Sequence, residues 1–193
     1  MRVLCALLAG LAGALALAPC AGAGEVSCDG FALGYDGEAK QKTCKVEDTS
    51  TGDLTSEAKV LDVLDHAFSL NLVYEHTGFR TYLPARSPTA LLKELSGFDR
   101  ITPIGSERHL RGFDVIAFDA TPRGEAYVLL CALFVRYSGN PGNYELPGGP
   151  GAKDAVRGVY CAEPGFLPPS EQGQGFYTVV DQTIARLRLP PAD

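Results

Sequence analysis

The chain has 193 residues, 17 of them Lys or Arg and 23 Asp or Glu, for a formal net charge of −6. That length suits one domain, and a hydrophobic share of 46% excludes a disordered linker. An acidic chain without tryptophan lacks the basic footprint and the stacking platform of a nucleic-acid binder, so nucleic acid is not an expected partner.

Residues 1–23 read as a secretory signal peptide. Arg2 is the only charged side chain, an apolar run follows from Val3 to Ala18, and Ala21-Gly22-Ala23 forms an A-x-A-like cleavage site. The run falls short of the roughly 20 residues that span a bilayer, so no stable membrane insertion is expected after cleavage. Lipidation at Cys20 is disfavoured, because Pro19 stands where a small residue is wanted. Residues 24–193 are then expected to form a single globular domain, periplasmic or secreted.

Four cysteines remain in that segment: Cys28, Cys44, Cys131 and Cys161. An even count in an exported chain implies disulfides, and four cysteines allow three connectivities. Cys28–Cys44 and Cys131–Cys161 are preferred, the first joining neighbours and the second joining two apolar segments expected to lie side by side. No Cys-x-x-Cys occurs, which gives a thioredoxin-like redox role little support.

In chain order, residues 31–35 and 42–47 alternate like half-buried strands, and 48–56 form a turn-rich loop. Residues 57–66 carry Ala58, Leu61 and Leu64 at near-helical spacing and predict a helix. Strands follow at 68–75 and 79–83. Residues 88–96 predict a short helix, with Ser87 as N-cap, Pro88 in the first position, a stripe of Leu91, Leu92 and Leu95, and Gly97 as the stop. Pro103-Ile104-Gly105 suggests a loop. Residues 113–119 predict a strand, 121–124 a turn and 126–137 a strand buried on both faces. Residues 138–155, rich in Gly and Pro, predict a long loop of the kind that is often functional. A strand returns at 156–161.

The last element is a helix over 176–188, with Phe176, Val179, Val180, Thr183, Ile184 and Leu187 on one face. The whole predicts an α+β fold, an antiparallel sheet with helices packed on one face and two disulfides.

The search for chemistry returns little. His66, His76 and His109 form no His-x-His or His-x-x-x-His pair, so no metal site is expected. No Gly-x-Ser-x-Gly elbow is present, and Ser106 near His109 is the nearest nucleophile candidate. Residues 148–153, Gly-Gly-Pro-Gly-Ala-Lys, fail the phosphate-loop spacing, and no cofactor is expected.

Arg100, Arg108, His109 and Arg111 crowd one stretch of an acidic chain and make a candidate patch for a carboxylate or phosphate ligand. Against this stands a solvated stretch balanced by Asp99, Glu107 and Asp114. Tyr144 and Glu145, in the glycine-rich loop, are candidate contacts for a partner. The function expected is a non-catalytic binding or accessory module of the cell envelope, taking an envelope protein or a small anionic ligand. The alternative is a small secreted hydrolase with an unmarked active site. The discriminator is whether the three histidines share a cleft.

Overall fold

A computed structural model describes residues 24–50, 56–78, 82–139, 145–146, 149–163, 165 and 174–190. The signal-peptide expectation for residues 1–23 and the Tyr144 contact lie outside the described residues.

The strands are β1 (Gly24–Val26), β2 (Gly34–Tyr35), β3 (Gln41–Asp48), β4 (Ser56–Leu64), β5 (Phe68–Thr77) and β6 (Leu83–Pro84). Helix α1 (Pro88–Leu92) precedes β7 (Phe98–Leu110), β8 (Phe113–Pro122), β9 (Leu129–Ser138), β10 (Glu145–Leu146), β11 (Gly149–Ala152) and β12 (Asp154–Ala162). Helix α2 (Gln174–Ala185) and β13 (Leu187–Arg188) close the chain. Eight strands make one antiparallel sheet in the order β1-β3-β4-β5-β12-β9-β8-β7. The short strands form a three-stranded sheet, β10-β11-β6, and a pair, β13-β2.

The expected α+β fold is therefore overturned. Among the described residues the molecule is predominantly antiparallel β, the two helices are short, and no helical layer covers one face of the sheet. Apolar residues of α2 (Phe176, Tyr177, Val180 and Ile184) join one hydrophobic cluster. Those of α1 and the turn after it (Leu91, Leu92 and Leu95) join the other.

Both sheet faces are buried, which is why the segment 57–66, predicted as a helix, forms most of strand β4 instead. In β4, Val60 and Val63 are as buried as Ala58, Leu61 and Leu64. A strand packed on both sides shows no alternation, and parts of such a run imitate helical spacing. The loop expected at 103–105 is the middle of the longest strand. Pro103 is tolerated there because β7 is an edge, and Gly105, at φ 71°, sits in the bulge between Ile104 and Arg108. The long loop expected over 138–155 contains β10 and β11, and β12 starts at Asp154. The C-terminal helix ends at Ala185, short of 188. Leu187 and Arg188 instead pair with Tyr35 and Gly34, so a tertiary ladder takes the residues ahead of Pro190.

Registers place one row of partners across the sheet: Cys44, Leu61, Leu72, Gly158, Phe134 and Val115. On the other face Cys161 lies directly opposite Cys131, with Phe118 beyond it. The disulfides Cys131–Cys161 and Cys28–Cys44 are both formed, with sequence separations of 30 and 16. Two structural disulfides indicate an oxidising, extracytoplasmic location. Among the described residues no helix is long and apolar enough to cross a membrane.

Candidate functional site

Two clefts among the described residues bring candidate groups together. The first lies between α1 and β7. Ser87 Oγ accepts the Ala90 N–H at 3.3 Å and Pro88 occupies the first turn, so the helix starts where its sequence predicts. Leu91, Leu92 and Leu95 pack on Phe98, Ile116 and Phe118. From the bulge of β7, Glu107 Oε1 accepts the Thr89 N–H at 3.0 Å, tying the start of α1 to the strand. Bonding to Thr89, its hydroxyl first, holds the Glu107 carboxyl below its usual range against a smaller opposing effect of burial.

The resulting cleft has a volume of about 370 Å3. Leu92, Leu95, Phe98, Ile101 and Pro103 supply its apolar lining, and Lys93, Asp99 and Arg100 its charges. Asp99 is already engaged: its Oδ2 accepts the Gly124 N–H at 2.9 Å, and the Arg123 guanidinium stands 3.8 Å from its Oδ1. Lys93 and Arg100 are exposed, and neither has an ion-pair partner among the described residues. The cleft is thus an apolar slot with two unneutralised cations at its rim.

The candidate arginine patch does not converge. Arg100 lines the cleft, but the other three members are held elsewhere. Arg108 stacks its guanidinium 4.1 Å from the Tyr177 ring centroid. His109 Nδ1 lies 2.9 Å from Asp114 Oδ1, and Arg111 Nε donates to Asp181 Oδ1 at 3.0 Å. The cause is strand geometry. Arg108 and His109 are adjacent on β7 and point to opposite faces. Arg111, at φ 49°, with Gly112 at φ 80°, forms the two-residue turn into β8. Proximity in sequence therefore separated these side chains in space. Lys93 was missed. Its only signal was its place beside Leu92, on the polar side of a helix whose apolar stripe was recognised. Glu145 lies in β10, paired with Pro150.

The second cleft, also about 370 Å3, lies at the end of β3, β4 and β5 and is lined in part by Asp48, Ser50, Ser56, Glu57 and His76. Asp48, Glu57, His76 and Asp154 are successive partners across four strands and so share one face. His76 Nδ1 lies 2.7 Å from Asp154 Oδ1, and the Tyr74 hydroxyl donates to the same oxygen at 2.7 Å. Asp154 is buried and the His76 side chain is 49% exposed. Ser50 holds Asp48 below the usual carboxylate range, chiefly through its side chain and then its backbone N–H.

The serines of this cleft are committed to the loop. The hydroxyls of Ser56 and Thr49 lie 2.7 Å apart, while Ser50 Oγ donates to the Ser56 carbonyl at 3.2 Å and accepts the Ser56 N–H at 3.0 Å. A histidine oriented by a buried carboxylate is half of a nucleophilic site, but neither serine of the cleft is placed as the other half. Among the described residues no group of three or more His, Cys, Asp or Glu has a metal-holding arrangement.

The three histidines are dispersed. His109 is on β7, four strand spacings from His76 on β5, about 19 Å across the sheet. His66 precedes the opposite end of β5, roughly 30 Å along the strand. Neither cleft is lined by more than one of them. No family model, no curated protein and no solved structure matches this chain.

Proposed function

We propose that this chain is a periplasmic or secreted binding module, without catalysis of its own, that takes an anionic ligand with an apolar body in the cleft between α1 and β7. One observation carries the reading: in a chain of net charge −6, an apolar slot holds Lys93 and Arg100 with no ion-pair partner among the described residues. Its volume falls within the 300–1,000 Å3 usual for small-molecule sites. The hydrolase alternative rests on His76 and Asp154 and loses support because the neighbouring serines are tied into the loop.

The test uses an apolar anionic dye, anilinonaphthalene sulfonate, on the disulfide-bonded mature protein. Binding with enhanced fluorescence is expected, about tenfold weaker in the Lys93→Ala/Arg100→Ala variant, as for the loss of a charge-assisted contact. Equal binding by the variant, or no binding by the parent, would refute the reading.

A further inference from the structure

We infer that the natural guest of this cleft is a short extended polypeptide that adds to the open edge of β7, placing an apolar side chain in the slot and an acidic group against Lys93 and Arg100. This rests on the binding reading above and names the ligand class for the same site.

The lining itself points to the strand edge. Phe98, Asp99, Arg100, Ile101 and Pro103 all border the cleft. Their side chains cannot share one face, since successive residues of a strand point to opposite sides. Ile101 and Pro103 lie opposite Ala120 and Phe118, in the cluster under α1, whereas Arg100 lies opposite Thr121 on the other face. What these residues have in common is the outer edge of the main chain. Among the described residues β7 is the last strand of the sheet and pairs with β8 alone.

Pro103 fixes which groups that edge offers. It has no N–H, so within a paired strand its nitrogen belongs on the open side. Hydrogen-bonded and non-hydrogen-bonded pairs alternate along an antiparallel ladder. Ile101, two residues earlier, therefore turns its N–H and C=O outward, and Pro103 adds a third group, its C=O. Register shifts at 98–100 and 104–108 confine the regular stretch to residues 100–104. The edge is thus long enough for a short guest and too interrupted for an extended sheet. Strand addition draws affinity from main-chain bonds and selectivity from pockets for alternate side chains, and the slot is one such pocket. Charge selects the guest: Asp99 is paired with Arg123 and accepts the Gly124 N–H, which leaves Lys93 and Arg100 as the lining charges without an ion-pair partner among the described residues. Bare phosphate would leave the leucine wall wet, and a lipid tail would leave the outward amide of Ile101 unused.

The test is competition against the same dye by a pool of N-acetylated heptapeptides, each alternating Thr with Val, Leu or Phe and carrying one Glu. A subset should displace the dye. N-methylation of the residues that face Ile101 should weaken those peptides about tenfold, the worth of one main-chain bond, while methylation of the intervening residues should not. Replacing Glu by Gln should weaken binding to the parent but not to Lys93→Ala/Arg100→Ala. If the dye binds as expected and no peptide displaces it, or methylation acts equally at every position, strand addition is wrong while the binding reading stands. If raising protein concentration releases the dye and sedimentation shows dimers, the guest is a second copy and the inference is overturned. A dye that ignores Lys93 and Arg100 removes both.

Discussion

Gly158 is the most informative single position for the packing of this sheet. It lies in β12, between Leu72 on β5 and Phe134 on β9. A methyl group there would fall 2.8 Å from Phe134 Cε1 and nearer still to Cζ and Cε2. Phe134 has no exposure to yield into, and its ring meets Phe113 edge-on, with centroids 5.5 Å apart. Gly158→Ala should therefore cost about 1–3 kcal/mol through overpacking. The alanine restricts the unfolded chain and returns roughly 0.5–1 kcal/mol, which leaves a net loss of about 1 kcal/mol at the middle of these ranges. Urea unfolding followed by far-UV circular dichroism measures it on the disulfide-bonded protein. Phe134→Leu alone should destabilise by less than the ~3–5 kcal/mol of a Phe→Ala change. The two changes together should cost about 1 kcal/mol less than their sum, since the smaller side chain makes room for the new methyl. Additivity within about 0.5 kcal/mol, or a Gly158→Ala variant as stable as the parent, would refute the argument.

Two further outcomes follow from the same geometry. Cys131→Ala/Cys161→Ala should cost about 3–4 kcal/mol in urea unfolding and exceed the loss from Cys28→Ala/Cys44→Ala, because the closed loop is longer, 30 residues against 16, and Cys131 and Cys161 are both buried in the second cluster; equal losses would count against this. Glu107 has a lowered folded-state pKa, so its stabilising contribution is present above 4.5 and disappears as pH falls through the folded value. The stability gap between the parent and Glu107→Gln, followed by thermal melts across pH, should therefore close on acidification. A gap independent of pH would show that the Thr89 contact does not discriminate between the charged and neutral carboxyl.

What the sequence determined by itself was local or covalent. Ser87 and Pro88 set the start of α1 because capping and a fixed φ act within one turn. The stripe of Phe176, Val180 and Ile184 marked α2, because one buried face gives a clean period. The cysteine pairing was legible because Cys28 and Cys44 are neighbours, and because 126–137 and 156–161 read as strands that would lie together.

Tertiary structure decided the rest. The segment 56–64 became a strand because both its faces are covered, which erases the alternation that tells a strand from a helix. Pro103 and Gly105 entered the longest strand because an edge needs no donor on its open side and a bulge accepts a positive φ. Arg108, His109 and Arg111 left the arginine patch because neighbours on a strand and its turn diverge, whereas Lys93 joined Arg100 because α1 folds back along β7. Charge at the cleft depends on which partners pair with which side chains, and residues as far apart in sequence as Asp99 and Arg123 make that choice only once the sheet has formed.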